Sequence, residues 1–205
     1  MIATPPSLYL ASGSPRRRDI LIALGYAVHV LPSAIDETPC PNETAHHYVD
    51  RMAKEKNQAA RQIWAQHHDN KPAFPILSAD TTVAIQQRIL GKPSSPQHAE
   101  TMLHQLSGQT HQVLSAVCVS WQGHVQATVQ CSDVRFAALS AAEISAYVAT
   151  GEPLDKAGAY GIQGLGGAFV AHLSGSFTGV MGLPVYETLH LLRSVNWPTP
   201  PWVQS

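Results

Sequence analysis

The chain has 205 residues, of which 44% are hydrophobic and 13% are charged, and its formal net charge is −1. These proportions are typical of a folded globular protein and exclude a largely disordered chain. A charge this close to zero argues against a broad nucleic-acid-binding surface and leaves any anion binding to local clusters. No apolar run reaches the length of about 18 residues that a membrane-spanning helix needs. We therefore expect neither nucleic acid nor a membrane as a partner.

Two further features predict where the protein resides. The first residues have neither the basic region nor the long apolar region of a secretion signal. The cysteines, Cys40, Cys118 and Cys131, are odd in number and lack Cys-x-x-Cys spacing, which is typical of reduced thiols. We therefore expect a cytoplasmic protein.

The first predicted elements are a strand, a short turn and a helix. An apolar run at residues 8–11 has strand character, and residues 12–14, Ser-Gly-Ser, follow it as a turn. Pro15 suits the first position of a helix, Ser14 suits the N-cap, and Gly25 suits the C-cap. Backbone N–H groups at the N-terminus of such a helix form an anion site.

Three consecutive arginines, Arg16, Arg17 and Arg18, occupy the first turn of this helix. The helix dipole disfavours cations there by about 0.3–1 kcal/mol each, and only Asp19 offsets them. This cost is understandable if the bound anion is a polyphosphate, because guanidinium groups bind phosphate bidentately. The segment therefore predicts a polyphosphate site, with a solvated basic helix end as the alternative.

A polar loop and a long helix follow a second short strand at residues 27–31. The loop carries two adjacent carboxylates, Asp36 and Glu37, and Asn42 is expected to cap a helix that runs to about residue 66. Two pairs of adjacent histidines near the ends of this helix lack partners at metal-ligand spacing and indicate surface side chains: His46–His47 and His67–His68.

The run at residues 75–85 is the most strand-like part of the chain. Alternation places two sets of side chains on opposite faces: Leu77, Ala79, Val83 and Ile85 on one, and Ser78, Asp80 and Thr82 on the other. A carboxylate in the middle of such a strand is costly to bury unless it is paired or binds a metal ion. Asp80 is therefore a candidate functional residue, with a structural role in anchoring a turn as the alternative.

The second half of the chain alternates between hairpin and helix signals. A hairpin at residues 86–91 delivers Lys92, and a helix is expected between Ser95 and Gly108. Two β-rich runs joined at the Gln122-Gly123 pair predict an antiparallel hairpin. The elements that follow are a capping box at residues 140–143, a helix that stops at Gly151, a glycine-rich segment as far as Gly182, a helix from Pro184 to about Val195, and an extended tail at residues 196–205.

Three segments carry the strongest pattern: Ser12-Gly-Ser-Pro-Arg-Arg17, Ser78-Ala-Asp-Thr81 with Gly91-Lys-Pro93, and Asp155-Lys-Ala-Gly-Ala-Tyr-Gly-Ile-Gln-Gly164. In order and spacing they resemble the Maf family of nucleotide pyrophosphatases, over residues 8–192. The resemblance implies an α/β fold similar to that of the inosine triphosphate pyrophosphatases, with an elongated mixed β-sheet flanked by helices and a central cleft. It also implies a single domain over residues 1–205, built as two lobes around the cleft.

The same resemblance implies hydrolysis of a nucleoside triphosphate to the monophosphate and pyrophosphate. A divalent cation, Mg²⁺ or Mn²⁺, is expected as the cofactor, and a homodimer as the assembly. By position, Asp80 matches the proton acceptor of the family, and Glu37 is expected to hold the metal together with Asp80. Whether Asp80 acts as the base, as a metal ligand or as both stays open. The phosphate-binding positions are Ser12, Ser14, Arg16, Arg17, Lys56 and Lys92.

Three positions are expected to set the choice of base. Arg16, Thr81 and Gln163 give the chain the pattern of family members that act on dTTP and UTP, whereas members that act on 7-methyl-GTP carry an aromatic residue, a glutamine and a glutamate there. The amide of Gln163 can pair with the carbonyl and N–H groups of a neutral uracil or thymine ring. Strict alternation points Thr81 away from Asp80, so the strand must end or bulge there if both residues line the site.

These inferences lead to one principal hypothesis, a pyrophosphatase that acts on dTTP and UTP. One alternative is a house-cleaning enzyme for modified pyrimidine nucleotides such as 5-methyl-UTP. Another is a nucleotide-binding regulator of septum formation, in which hydrolysis is incidental. A full set of catalytic residue types favours an enzyme over the regulator.

Overall fold

The computed structural model describes residues 5–31, 34–200 and 202. Within these ranges the chain forms a seven-stranded sheet, six α-helices and three 3₁₀ turns. The strands are β1 (Ser7–Ala11), β2 (Ala27–Val30), β3 (Ile76–Ile85), β4 (Arg88–Leu90), β5 (Thr110–Trp121), β6 (His124–Phe136) and β7 (Val170–Ser174). The helices are α1 (Pro15–Ala23), α2 (Ala45–His67), α3 (Pro96–Leu106), α4 (Ala141–Ala149), α5 (Phe177–Met181) and α6 (Val185–Ser194). The 3₁₀ turns are Glu152–Asp155, Ala157–Ala159 and Leu165–Phe169.

The sheet contains both parallel and antiparallel pairs. Its strand order is β2-β1-β3-β5-β6-β7, and β4 pairs with β3 outside this order. β1 is parallel to β2 and β3, whereas all other pairs are antiparallel. Helix α2 packs on one face of the sheet, and helices α1, α3, α4 and α6 contribute to the apolar clusters on the other. The prediction of an α/β fold with a mixed sheet flanked by helices is therefore confirmed.

Strand β3 contributes to two apolar clusters along one of its faces. Leu77 and Ala79 belong to the cluster that α1 and α6 cover, and Val83 and Ile85 belong to the cluster that α3 and α4 cover. Thr81 lies on the same face, between the two clusters, because side chains alternate along a strand. The opposite face carries Ser78, Asp80 and Thr82, all of them buried. The predicted division of this strand into two faces is confirmed.

A gap in the sheet lies beside the middle of β3. β1 pairs with β3 only as far as Ser78, and β4 begins to pair with it at Val83. Within the described part of the chain, residues 79–82 therefore have no strand neighbour on this side. On the other side, β3 and β5 keep an unbroken register from Ile76 to Ala84. We call this opening the sheet gap.

The sheet gap resolves the difficulty that the sequence raised about Thr81. The strand neither ends nor bulges there, since its register with β5 continues past Thr81 without a shift. Asp80 and Thr81 point to opposite faces of β3, and yet both border the gap. A missing neighbour strand, and not a distorted β3, therefore exposes both residues to one site.

The helix caps confirm one prediction and correct another. Ser14 is the N-cap of α1, and Gly25, with a φ of 94°, follows the last turn of that helix as predicted. The cap of α2 is Thr44 and not Asn42, because the Thr44 side chain accepts a hydrogen bond from the His47 N–H at 3.2 Å. Asn42 has a φ of 58° and lies in the turn before the helix, so its backbone does not have the extended conformation of an N-cap.

The hairpins and the later helices lie where the sequence predicted them. The β5–β6 turn is Gln122-Gly123, and both residues have positive φ, which suits a two-residue hairpin turn. The capping box of Ser140 and Glu143 is present at the start of α4. The short elements β7 and α5, inside the glycine-rich segment, were not predicted.

The end of the chain packs against the rest of the molecule. Residues 197–200 have no regular secondary structure, the Trp197 ring packs on the cluster under α1 and α6, and the Tyr26 hydroxyl donates to the Pro198 carbonyl at 3.3 Å. Residues 201 and 203–205 of the predicted extended tail and the first four residues of the chain lie outside the described ranges. Within those ranges, none of the helices combines the length and apolarity that crossing a membrane requires.

Candidate active site

One side of the sheet gap brings three ionised groups together. The Asp80 side chain is 11% exposed, and its Oδ1 accepts a hydrogen bond from Lys56 Nζ at 2.6 Å. The same ammonium group lies 2.6 Å from Glu37 Oε1. Helix α2 supplies the lysine, β3 supplies the aspartate, and the loop before α2 supplies the glutamate. Two predicted metal-binding carboxylates and one predicted phosphate-binding lysine therefore meet at a single point.

The surroundings of Glu37 keep its carboxylate ionised. Burial raises the pKa of Glu37, but the hydrogen bond and charge of Lys56, together with the charges of Lys92 and Arg17, lower it overall. The backbone of the same residue is fixed, because the Tyr48 hydroxyl donates to its carbonyl at 3.0 Å. Burial, with the negative charges of Asp80 and Glu37, raises the pKa of Tyr48 to about 12, so this hydroxyl stays a donor at neutral pH.

The other side of the gap holds the guanidinium of Arg17. Nη1 donates to Ser12 Oγ at 2.8 Å, Nε donates to the Gly182 carbonyl at 2.8 Å, and Nη2 donates to Thr81 Oγ1 at 3.2 Å. The residue is only 9% exposed. Burial lowers the pKa of Arg17, and the charge of Asp80 offsets part of this effect.

The turn after β1 explains why Arg17 reaches the gap. The strand ends at Ala11, and Ser12 Oγ then accepts from the Ser14 N–H at 3.3 Å as well as from Arg17. Pro15 starts α1 directly afterwards, so the first turn of the helix faces the part of β3 that lacks a neighbour. The predicted strand, turn and helix N-terminus thus place Ser12, Ser14 and Arg17 together.

Three other predicted site residues lie farther out. Lys92, in the loop after β4, is exposed and acts on Glu37 through its charge. Arg16 is partly buried and faces the glycine-rich segment: burial raises the pKa of Asp155, but Lys156 and Arg16 lower it overall. Gln163 is exposed, and among the described residues no hydrogen bond ties its side chain to the gap. Its role at the base therefore stays a prediction.

The loop that carries Gln163 is organised around Glu152, which sequence reasoning missed. The Glu152 carboxylate accepts from the Leu165 N–H at 2.9 Å, the Gly166 N–H at 3.1 Å and the Tyr147 hydroxyl at 2.8 Å. A Cβ at Gly164 would lie 2.5 Å from this carboxylate, so the loop passes too close for a larger residue. Burial raises the pKa of Glu152, but these hydrogen bonds lower it overall.

Two more positions that contact the site residues carried no visible signal in the sequence. Ser115 lies in the apolar strand β5 and contacts Thr81, and Gly182 gives its carbonyl to Arg17 across 165 positions of sequence. A serine within an apolar run indicates packing, and a glycine after a short helix indicates a turn. Only the three-dimensional contacts identify them.

The carboxylates of the gap are candidate ligands for a metal ion. Within the described ranges, no group of three or more His, Cys, Asp and Glu side chains is placed to hold a metal ion. Glu37 and Asp80 nevertheless offer hard oxygen donors at one point, on either side of the same ammonium. This donor set fits Mg²⁺ or Mn²⁺, because Mg²⁺ usually binds through one or two carboxylates together with the phosphates of a substrate.

Comparisons with known proteins show the family of this chain. The family model described as "Maf-like protein" matches residues 7–195. A protein of Pasteurella multocida named dTTP/UTP pyrophosphatase is 55% identical over 188 residues, which cover 91% of this chain and 94% of that protein. A protein of Haemophilus ducreyi named nucleoside triphosphate pyrophosphatase is 57% identical over 189 residues, covering 92% of this chain and 95% of that protein.

A solved structure is also similar to part of the chain. The Staphylococcus aureus Ham1 protein aligns with a TM-score of 0.44 and 14% identity, covering 63% of this chain and 71% of that chain. The family match and the two relatives each span more than nine tenths of the chain. The chain belongs to the Maf family.

Proposed function

We propose that this protein is a pyrophosphatase that hydrolyses dTTP and UTP to the monophosphate and pyrophosphate. The names of relatives at 55% and 57% identity support this substrate class. The observation that carries the proposal is the pairing of a buried carboxylate, Asp80, with cations on both sides of one gap in the sheet.

In phosphoryl transfer, a protein contributes chiefly by positioning charged groups and by orienting the attacking water molecule. A guanidinium has five N–H donors, and the contacts in the gap use three of those of Arg17. Each terminal nitrogen keeps one N–H without an acceptor among the described residues, and this pair is the fork that we take to bind two oxygens of a phosphate. We assign this fork and the exposed Lys92 to the β- and γ-phosphates, where they would stabilise the leaving pyrophosphate.

Asp80 is assigned to the attacking water. Lys56 occupies Oδ1 of this carboxylate, whereas Oδ2 accepts none of the hydrogen bonds found among the described residues. This supports the assignment of the second oxygen as the acceptor of a proton from water as that water attacks the α-phosphorus. Lys56 would hold the carboxylate in position and keep its charge in place.

Glu37 and Asp80 would hold the divalent cation. When bound, Mg²⁺ or Mn²⁺ would supply positive charge to the phosphate oxygens and lower the pKa of nearby water. Lys56 would remain near both carboxylates and balance their charge. The role of Glu37 in metal binding and the role of Arg17 in phosphate binding can be tested separately, because Glu37 pairs with Lys56 and not with Arg17.

The base end of the cleft is assigned to Arg16 and Gln163. A neutral pyrimidine presents carbonyl acceptors and one N–H, which an amide can pair with in both directions. A pyrimidine carrying an additional methyl group presents the same hydrogen-bonding edge. Modified pyrimidine nucleotides such as 5-methyl-UTP are for that reason the second candidate substrates.

Release of pyrophosphate from a panel of canonical and modified triphosphates, with Mg²⁺ or with Mn²⁺, tests the proposal. UTP and dTTP should be the best canonical substrates, and activity should disappear when the metal is chelated. In ¹⁸O-labelled water the label should enter the monophosphate, since attack is at the α-phosphorus. If no nucleotide releases pyrophosphate, the regulator of septum formation becomes the better account.

Two further expectations accompany the enzyme proposal. The family resemblance implies a homodimer, which light scattering coupled to size-exclusion chromatography would test by giving about twice the chain mass of 22.1 kDa. A cytoplasmic location agrees with free thiols at all three cysteines. Fractionation of cells that produce the protein would test the location.

A further inference from the structure

A line of hydrogen bonds runs from Arg17 into the interior of the sheet. Arg17 Nη2 lies 3.2 Å from Thr81 Oγ1, and Thr81 Oγ1 lies 2.7 Å from Ser115 Oγ. Ser115 Oγ in turn lies 2.7 Å from the carbonyl of Gly179, in the middle of α5. Thr81 and Ser115 are direct neighbours on β3 and β5, and the serine is fully buried.

The chemistry of the groups fixes the direction of these bonds. A carbonyl only accepts, so Ser115 must donate its single hydroxyl proton to Gly179. Towards Thr81 the serine can then only accept, so Thr81 donates its own proton to Ser115. The free lone pairs of Thr81 accept from Arg17, which can only donate.

This direction leaves Thr81 without a free proton for a ligand. Its side chain also lies on the face of β3 opposite Asp80, against Arg17 and the end of α5. The Gly182 carbonyl holds Arg17 Nε at 2.8 Å from the same segment. The hydroxyl of Thr81 is therefore tied to the phosphate-binding guanidinium, although Thr81 is the one residue of β3 that is not fully buried.

We propose that Ser115 is a positioning residue of the triphosphate site, which acts through Thr81 to hold the Arg17 guanidinium towards the phosphates. The inference rests on the proposed function and gives Thr81 a contact at the phosphate end of the cleft, in addition to the role in the choice of base that the family resemblance implies. Neither hydroxyl needs to touch the substrate in this arrangement.

Loss of the Ser115 hydroxyl has a specific consequence. The proton of Thr81 would turn to its remaining acceptor, the Gly182 carbonyl at 3.3 Å. That carbonyl already accepts from Arg17 Nε, so the two donors would compete for it. The Gly179 carbonyl would also lose its partner. The guanidinium would remain in the gap with a less defined orientation.

Inorganic pyrophosphate is the probe that separates the two roles of Thr81, because it has phosphates and no base. We expect Ser115→Ala and Thr81→Val each to weaken pyrophosphate binding roughly tenfold in calorimetric titrations, the scale of one lost hydrogen bond to a charged group. The double variant should be no weaker than Thr81→Val alone, because both changes break one line of bonds. Thr81→Ser, which keeps the hydroxyl, should restore most of the affinity.

Ser120→Ala is the matched control on the same strand. Ser120 is buried, and its hydroxyl has no hydrogen-bond partner among the described residues. This variant should bind pyrophosphate like the unchanged protein. The ratio of kcat/KM for UTP to that for GTP should stay constant in Ser115→Ala while both values fall.

The opposite results would overturn the proposal. Unchanged pyrophosphate affinity in folded Ser115→Ala would show that its hydroxyl does not position Arg17. Normal pyrophosphate affinity in folded Thr81→Val would show that Thr81 does not hold Arg17 towards the phosphates. If Ser115→Ala does not fold, comparison of Thr81→Val with Thr81→Ser decides the same question. Absence of turnover in the unchanged protein would overturn the proposed function alone, since the titration needs no turnover.

Discussion

At the sheet gap, the face of β3 that carries Asp80 is built from ionised groups, whereas the face that carries Thr81 is built from neutral hydroxyl groups around one arginine. On the first face, two carboxylates share the Lys56 ammonium at 2.6 Å each. On the second, three oxygen acceptors hold Arg17 within 3.2 Å.

The difference shows how one strand can serve two tasks. The Lys56 ammonium is a compact charge that Asp80 and Glu37 share, and it would stay near both carboxylates when a divalent cation binds. The Arg17 fork is planar and fixed by acceptors on three sides, so its free N–H groups have a set direction. We infer that the Asp80 face performs the chemistry and that the Thr81 face positions the phosphates.

The largest expected effect comes from removing the carboxylate of Asp80. Asp80→Asn should lower kcat by ~10²–10⁴, the scale for removing a general base, and should leave the fold intact because Glu37 still pairs with Lys56. Steady-state kinetics with UTP measure the loss, and circular dichroism checks the fold. A folded variant with near-native turnover would show that Asp80 is not the catalytic carboxylate.

Removing the cations that are assigned to the phosphates should have a smaller and different effect. Arg17→Ala removes two charge-assisted hydrogen bonds to phosphate, so kcat/KM should fall roughly 10- to 1,000-fold, and by the same factor for UTP, dTTP and GTP. Lys92→Ala should act in the same way but more weakly, because this lysine is exposed. Arg18→Ala, at the exposed neighbouring arginine, is the matched control. If one of these variants changes the base preference instead, its residue contacts the base and not the phosphates.

The fold was largely predictable because its signals are local. Alternation in residues 75–85, the capping box at Ser140 and the Gln122-Gly123 turn each depend on neighbouring residues. The cap of α2 was placed wrongly at Asn42 because two cap-forming residue types lie close together, and only the backbone decides between them. β7 and α5 were missed because long-range contacts stabilise these short elements within a glycine-rich segment.

The motifs in the sequence name residues of the candidate site, but they do not predict which of these residues contact one another. The motifs name Ser12 and Arg17, at the end of β1 and the start of α1, and Asp80, in the middle of β3, and the structure brings these three residues to one gap. The relation of Thr81 to Ser115 was out of reach, since it depends on the pairing of β3 with β5, and this register is not visible in either strand alone.

A substitution at Gln163 tests whether the choice of base is made away from the two faces of β3. Gln163→Glu should lower kcat/KM for UTP and dTTP roughly 5- to 150-fold, because a carboxylate repels the carbonyl that the amide faced. Hydrolysis of 7-methyl-GTP should fall less or rise, since its ring is cationic. Gln97→Glu, at an exposed glutamine of α3, is the control for the added charge. An unchanged UTP to 7-methyl-GTP ratio would mean that Gln163 does not read the base.

The smallest effect on activity is expected at the support of the Gln163 loop. Glu152→Gln replaces an acceptor of the Leu165 and Gly166 N–H groups, so stability at pH 7 should fall by about 1–2 kcal/mol. The pKa of Glu152 is lowered in the folded protein, so its carboxylate stabilises the fold above its unfolded pKa, and this is lost as pH falls through the folded value. Denaturant unfolding at pH 7 and pH 4 should therefore show a smaller difference between variant and unchanged protein at pH 4. A constant difference would contradict this role.

The division of labour between the two faces is tested most directly by a crystal structure with Mn²⁺ and a UTP analogue that resists cleavage between the α- and β-phosphates. The account predicts an anomalous peak for Mn²⁺ beside the carboxylates of Asp80 and Glu37, the α-phosphate within reach of a water on Asp80, and the terminal phosphates on the Arg17 fork. Phosphates bound away from Arg17, or an α-phosphate remote from Asp80, would contradict it.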